Sequence, residues 1–384
     1  MTKRRVCVVT GSRAEYGLLS GVMRAIQQDA DLELQVVATG MHLSPEFGLT
    51  WRAIEGDGFA IDAKVEMLLS SDSPVGIAKS IGLGTMGCAD AFDRLKPDLL
   101  LLLGDRFEIL AAAQAALVAR IPIAHIAGGD TTEGAFDEAI RHSITKMAHL
   151  HFVTNEGAAK RVRQLGENPE HVHVVGSPGI DQIRSLTLLT REELAQELGF
   201  EFRKKNLLVT FHPVTLEQIP AKRQFQELLD ALDRLGSETG VLFTKPNADT
   251  DGREIIAMMD AYVATRPHTR AFTSLGQLRY LSAMAQVNAV VGNSSSGLYE
   301  APSFGKPTIN IGDRQKGRLQ ASSVINCEAL AGEILAAIEE GLQRDCSGTV
   351  NPYGDGHSTE RIVALLKQVV DPKVLLKKHF YEVA

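Results

Sequence analysis

"DLLLLLGDR", Asp98 to Arg106, is the stretch that decides the fold. Five leucines in a row, Leu99 to Leu103, cannot belong to a strand with one wet face, because side chains alternate across a sheet. The run is also far too short for a membrane span, which needs about 20 apolar residues. Gly104, Asp105 and Arg106 end it with a turn signal. It therefore reads as a strand buried on both faces, the strand type of a parallel sheet with helices above and below.

The same unit recurs on either side. An alanine-rich helix is predicted from about Phe107 to Ala119. Upstream, "RVCVVTG" leads into a helix from Tyr16 to about Gln28, and "LELQVVATG" into a loop with His42. Downstream, "IPIAHIAGGD" precedes a helix near Phe136 to Ala148, "LHFVTN" precedes "EGAAKRVRQLG", and "VHVVGSPG" follows. A polar stretch after Gly179 interrupts the pattern. It restarts with "NLLVTFHP", "GVLFTKPN", a helical "GQLRYLSAMAQ", "NAVVGNSSSG" and "PTINIGDR". The alternation predicts an α/β chain of two Rossmann-like domains, residues 1–180 and 181–365. Residues 366–384 read as an amphipathic helix able to pack back on the first domain.

With 384 residues, 44% hydrophobic and 23% charged, the chain has globular composition and room for about two domains. A net charge of −7 argues against a nucleic-acid partner. "MTKRRVCVVTG" lacks the apolar core of a signal peptide, and no run is long enough to span a membrane. Cys7, Cys88, Cys327 and Cys346 are scattered, so neither a disulfide framework nor a zinc site is expected. The expected location is the cytoplasm.

In open parallel sheets, ligands bind beyond the carboxyl ends of the strands. The residues expected there are Gly11, Ser12, Arg13 and Glu15; Gly40 and His42; Gly104 to Arg106; and His125, Gly128, Gly129 and Asp130. In the second domain they are His212, Asn247 with Asp249, Asn293 to Ser296, and Arg314. Any one has a plain alternative: an Asp after a strand often caps a helix, and Pro213 beside His212 can mark a turn. The repetition at nearly every strand end is what points to a ligand. "GNSSSG" offers free N–H groups and hydroxyls to an anion. It lacks the lysine of a P-loop. "GLGTMG", Gly82 to Gly87, matches a dinucleotide fingerprint literally, but no strand precedes it, so NAD is not expected.

Taken in order, "TGSRAEYG", "VATGMH", "GDRFE", "HIAGGDTTEGAFDEAIRHS", "FHPVT", "KPNAD" and "GNSSSGLYEAPSFGKPTINIGDRQ" resemble the hydrolysing UDP-N-acetylglucosamine 2-epimerases of sialic- and legionaminic-acid synthesis. The resemblance covers nearly the whole chain. It implies a GT-B-like pair of domains with a cleft between them, and a homodimer or homotetramer. UDP would lie against the second domain, with Ser294, Ser295 and Gly297 at phosphate, helped by Arg13 and His212. Glu300 would hold the ribose hydroxyls, the backbone near Leu275 the uracil, and Asn247 and Arg314 the same site. The sugar would meet Asp105, Arg106, Asp137, Glu138, Arg141 and His142 in the first domain, with Glu15 and His42 on its rim. No cofactor and no metal is implied.

The implied reaction removes the C2 proton, expels UDP from C1 to give a glycal, and adds water at C1 with a proton returned to C2 from the other face. A weak carbon acid needs a carboxylate base in a dry site, and departing diphosphate needs cationic and N–H partners. Asp105 and Asp137 are the acid/base candidates, with Glu138 or His142 orienting them. One position departs from the family: Ala127 stands where "HIEGG" carries glutamate, and an extra residue falls near Thr132 to Gly134, with Glu133 inside it. The resemblance implies UDP-N-acetylglucosamine as substrate. Ala127 raises UDP-N,N′-diacetylbacillosamine as the alternative, and a GT-B glycosyltransferase or a nucleotide-sugar sensor are the rival functions.

Overall fold

The five leucines divide their faces as their period requires. In the computed structural model, which describes residues 3–70, 73–131, 136–213, 220–246 and 252–383, Leu99, Leu101 and Leu103 join one core with Leu19, Met23 and Ile26. Leu100 and Leu102 join a second core with Phe92, Ile109 and Ala112 on the opposite face. All five are buried. At about 2 kcal/mol per buried leucine, this one strand contributes on the order of 10 kcal/mol against the entropy of ordering its surroundings.

Among the described residues the first sheet has seven parallel strands: β1 (Arg4–Thr10), β2 (Leu32–Thr39), β3 (Ala63–Val65), β4 (Leu99–Leu103), β5 (Ile123–Ile126), β6 (Leu150–Val153) and β7 (Val172–Val174). Their order is β3-β2-β1-β4-β5-β6-β7. The order reverses between β1 and β4, where Val6 pairs with Leu99 and Val8 with Leu101. A second sheet of six parallel strands holds β8 (Lys205–Thr210), β9 (Thr239–Thr244), β10 (Thr269–Phe272), β11 (Ala289–Gly292), β12 (Thr308–Ile311) and β13 (Val324–Cys327). Its order is β10-β9-β8-β11-β12-β13, with the reversal between β8 and β11. Such reversals are where doubly wound sheets leave a crevice at the strand ends.

The chain forms two compact units, Met1–Gln182 with Tyr353–Ala384, and Ile183–Pro352. The return to the first unit thus begins at Tyr353, earlier than the expected residue 366. The helix Ser358–Gln368 inserts Ile362 and Leu366 into the core that holds Leu19 and Met23. Asp181 caps it by accepting the Ser358 N–H at 3.0 Å and the Thr359 N–H at 2.5 Å. The expected helix over 366–384 does not form. Val369 is extended, the residue before Pro372 is disfavoured from helix, and only a 3₁₀ turn follows at Pro372–Leu376.

"GLGTMG" lies in the middle of the helix Pro74–Leu95, so it cradles no dinucleotide. A Cβ on Gly84 would come within 3.0 Å of Ala111 Cβ and 2.8 Å of Met67 Cε, so that glycine serves close packing. Among the described residues no helix is long and apolar enough to cross a membrane.

Candidate functional site

The strand ends of the first unit gather charge. After β1, Ser12 caps the helix Arg13–Gln28, its Oγ accepting the Glu15 N–H at 3.3 Å. This helix starts three residues before the sequence predicts, so Glu15 sits inside its first turn and not in a loop. Glu15 is 5% exposed, and its Oε2 accepts the Gly11 N–H at 2.8 Å. Its other oxygen, Oε1, is buried with no partner among the described residues. Beside it lies Glu108, fully buried, gripped by Arg106 through Nε at 3.2 Å and Nη2 at 3.0 Å. Gly40, at φ +55°, makes room: a Cβ there would fall 2.7 Å from Glu108 Cγ. Arg106 thus holds Glu108 directly and acts on Glu15 only electrostatically.

Burial, with Glu108 adding to it, pushes the Glu15 carboxyl up to about 8. A carboxyl raised on folding favours the protonated form, so its cost to stability is absent below its unfolded value and grows as pH rises through the folded value. Glu15→Gln, which mimics the neutral carboxyl, is expected to gain stability relative to the parent between about pH 5 and pH 8. Urea unfolding at the two pH values checks this, and a difference that stays constant would show Glu15 ionised throughout.

His42, expected on the rim, is buried and held on both ring nitrogens. It has no exposed surface, its Nε2 meets Thr10 Oγ1 at 3.0 Å, and its Nδ1 meets Thr50 Oγ1 at 2.8 Å. Burial lowers it to about 4, so it is neutral near pH 7. His125 is similar: fully buried, with Nε2 at 2.7 Å from the Gly104 carbonyl, and lowered to about 3.

The helix Asp137–Met147 carries the densest constellation. Ile140 and Ile144 turn one stripe into the core, which leaves Glu138, Arg141 and His142 as neighbours on another. The Arg141 guanidinium is 5% exposed and bridges two carboxylates. It pairs with Asp105, at the end of β4, and with Glu138 at 2.7 Å, and it donates to the Asp130 carbonyl at 2.7 Å. Glu138 Oε1 in turn meets His142 Nε2 at 3.1 Å. Asp105, Glu138, Arg141 and His142, all expected from the sequence, therefore form one connected chain. Asp137, in the first turn of that helix, acts electrostatically on Arg106. Asp130 accepts from Thr154 Oγ1 at 2.8 Å. Ala127 lies just before it at φ +62°, a left-handed conformation that few non-glycine residues adopt. Glu133 and the extra residue near it fall outside the described residues.

In the second unit, Asn293 organises the strand ends. It is 1% exposed; its Oδ1 accepts the His212 N–H at 2.7 Å and its Nδ2 donates to the His212 carbonyl at 2.8 Å. Its own carbonyl accepts from Arg314 Nη1 at 2.9 Å and Gln315 Nε2 at 2.8 Å. His212, the "NSSSG" turn and Arg314 are thereby tied together. Gly292, at φ +133°, lets β11 approach β8: a Cβ there would sit 1.9 Å from the Thr210 carbonyl oxygen. Ser294 Oγ accepts from Ser296 Oγ at 3.2 Å, and Ser296 Oγ also meets the Tyr280 hydroxyl at 2.5 Å. Gly297 lies against Thr308, where a Cβ would be 2.6 Å from Cγ2. Burial pushes the Glu300 carboxyl up to about 7, and its Oε2 is without a partner among the described residues. Leu275 is 3% exposed, and its carbonyl accepts from Arg279 at 2.8 Å. Arg13 is exposed at the start of its helix. Asn247 and Asp249 lie outside the described residues. Sequence reasoning did not single out Glu108, Tyr280 or Gln315. Glu108 and Gln315 left only a faint signal, as the last letters of "GDRFE" and "INIGDRQ".

Comparison with known proteins places this geometry. Residues 24–367 match the family described as UDP-N-acetylglucosamine 2-epimerase. A Campylobacter jejuni protein, the GDP/UDP-N,N′-diacetylbacillosamine 2-epimerase (hydrolyzing), is 44% identical over 85% of each chain. The UDP-N,N′-diacetylbacillosamine 2-epimerase (hydrolyzing) of Legionella pneumophila is 36% identical over 98% of each. Among solved structures, the Neisseria meningitidis UDP-GlcNAc 2-epimerase bound to UDP-GlcNAc superposes with a TM-score of 0.78 at 20% identity, covering 95% of this chain and 100% of that one. Two parallel-sheet units, the ordered motifs and these matches over most of its length show that the chain belongs to the UDP-N-acetylglucosamine 2-epimerase family.

Proposed function

We propose that the chain hydrolyses UDP-N,N′-diacetylbacillosamine, releasing UDP and the free sugar inverted at C2. The observation that carries the chemistry is the Arg141 bridge, which holds Asp105 and Glu138 on one guanidinium. In this reading Asp105 removes the C2 proton. The C1–O bond then breaks with its electron pair passing to the UDP oxygen, and a C1=C2 double bond forms. Protonated Asp137 returns a proton to C2 on the opposite face, and the water that adds to C1 gives its released proton back to Asp137; Asp105 passes its proton to solvent. Glu138 and His142 orient the pair through Arg141. UDP is assigned to the second unit. Its phosphates take the "NSSSG" amides and hydroxyls with Arg314 and His212, and the ribose diol supplies the donors that Glu300 Oε2 lacks.

Two things support the diacetylated substrate over UDP-N-acetylglucosamine. The Campylobacter and Legionella relatives carry that name at 44% and 36% identity. Ala127 offers only a methyl group where the family resemblance places glutamate, which suits a bulkier 6-deoxy sugar. The family's own description favours UDP-N-acetylglucosamine as the second reading.

Both substrates run side by side in D₂O test this. UDP release followed by NMR is expected with deuterium at C2 of the product, and with kcat/KM at least about tenfold higher for the diacetylated sugar. Product without deuterium would refute the elimination route. Preference for UDP-N-acetylglucosamine would overturn the substrate assignment.

A further inference from the structure

The helix that bears Asp137, Glu138, Arg141 and His142 ends at Met147, against a knot of charge that the reaction does not use. Glu167, 2% exposed, stands at the centre of that knot. Its Oε1 takes Lys146 Nζ at 2.7 Å, and its Oε2 takes Lys378 Nζ at 2.6 Å and His151 Nε2 at 3.0 Å. Burial alone would raise this carboxyl, but the three donors outweigh burial and hold it down at about 2.

Lys378 comes from the far end of the chain. Its ammonium has three donors, and all three are used. Beyond Glu167, it donates to the carbonyl of Lys146 at 2.8 Å and to that of Ala148 at 2.7 Å. These carbonyls belong to the end of the Asp137–Met147 helix, where a cation also complements the helix dipole. The segment around Lys378 is itself seated. The Tyr381 N–H donates to the Gly166 carbonyl at 2.9 Å, and the Phe380 ring lies on Gly166, where a Cβ would be 2.3 Å from Cε2. Lys146 Nζ lies 5.0 Å from the centre of that ring and also donates to the Leu165 carbonyl at 2.9 Å.

We propose that Lys378 is a positioning residue of the reaction: it clamps the C-terminal end of the Asp137–Met147 helix to Glu167 and so sets the place of Glu138 and Arg141 at its other end. This rests on the proposed function, which gives those two residues their part in the chemistry. A helix rises about 1.5 Å per residue, so Arg141 stands only about 7.5 Å along the axis from Lys146. A rod this short and this well hydrogen-bonded passes a shift at one end on to the other. Misplacement by about 1 Å in a catalytic constellation costs on the order of a hundredfold in rate. Lys378 touches neither the sugar nor UDP in this reading, so its removal acts on turnover and not on nucleotide binding.

Lys378→Met keeps the length of the side chain and removes the donors. With UDP-N,N′-diacetylbacillosamine, kcat is expected to fall by about ten- to a hundredfold. UDP affinity by calorimetry should stay within about twofold, and Lys378→Arg should restore most of the lost rate. A folded Lys378→Met with parental kcat overturns the proposal, and so does a loss of UDP affinity equal to the loss of rate. Should that variant not fold, deletion of residues 379–384 keeps Lys378 but removes its seat. It is expected to lower kcat by about threefold or more, and an unchanged kcat overturns the proposal. Hydrogen exchange of the amides at 144–148 separates this clamp from the assigned function. Faster exchange in Lys378→Met supports the clamp even if the parent releases UDP from neither sugar, and unchanged exchange in that variant refutes it.

Discussion

Asp105→Asn is expected to lower kcat by about a thousandfold while UDP binding stays within about threefold of the parent. The expectation follows from where Asp105 stands. β4 delivers it to the rim, Gly104 at φ +79° turns the chain just before it, and Arg141 grips its carboxylate. Asparagine has nearly the same shape and keeps one oxygen for the guanidinium. It loses the charge and, in the proposed reaction, the ability to take the C2 proton, so the variant separates chemistry from fold. General acid–base catalysis supplies about 10²- to 10⁴-fold, which brackets the loss. UDP release measures turnover, and calorimetry with UDP measures nucleotide binding, which the proposed function assigns to the second unit. Turnover within about threefold of the parent would move the base to Asp137 or Glu138. Joint loss of turnover and UDP affinity would mean that Asp105 holds nucleotide.

Arg141→Met is the second large effect, and it appears in stability as well as rate. Arg141 is 5% exposed and satisfies two carboxylates and the Asp130 carbonyl at once. Methionine fills much of its volume but leaves Asp105 and Glu138 as like charges with no cation between them. Breaking a buried pair by removing one partner costs about 3–5 kcal/mol. The two carboxylates keep roughly a quarter of their surface in water, so the low end applies, about 3 kcal/mol. At about 3 °C per kcal/mol, Tm of the first unit should fall by about 10 °C. Turnover should vanish with it. Arg141→Lys is expected to fall between, because an ammonium keeps the charge but cannot fork to two carboxylates and a carbonyl in fixed geometry. A Tm within about 2 °C of the parent for the methionine variant would mean that the bridge adds nothing to stability.

What the sequence made legible follows from burial on two faces. β4, with leucine at each of its five positions, and β8 and β11 carry apolar runs that no other element explains. The three strands left unread, β3, β10 and β13, are all sheet edges. Each is short and partly exposed, as in "TRAF", so its composition does not differ from that of a loop. The residues of the Arg141 network were legible because "DEAIRHS" spaces them three and four apart on one helix face. The burial of His42 was not legible, because a histidine after a strand looks the same whether it faces solvent or two threonines. Glu108 was passed over because an acidic residue in a helix's first turn has an ordinary explanation in the dipole. Only the approach of Gly11 and Gly40, packed within a few ångströms of it, shows that it lies under the rim.

The return of Tyr353–Ala384 to the first unit has a consequence during synthesis. A ribosome makes β1 and the helix Arg13–Gln28 near the start, then all of Ile183–Pro352, and only afterwards the Ile362 and Leu366 that cover Leu19 and Met23. At about 5–20 residues per second, the stretch between Met23 and Leu366 keeps that greasy patch waiting roughly 17 to 70 s for its lid. The nascent chain is therefore sticky for longest on the half that bears Asp105 and Arg141. That half completes its core only after Ile362 and Leu366 have left the exit tunnel.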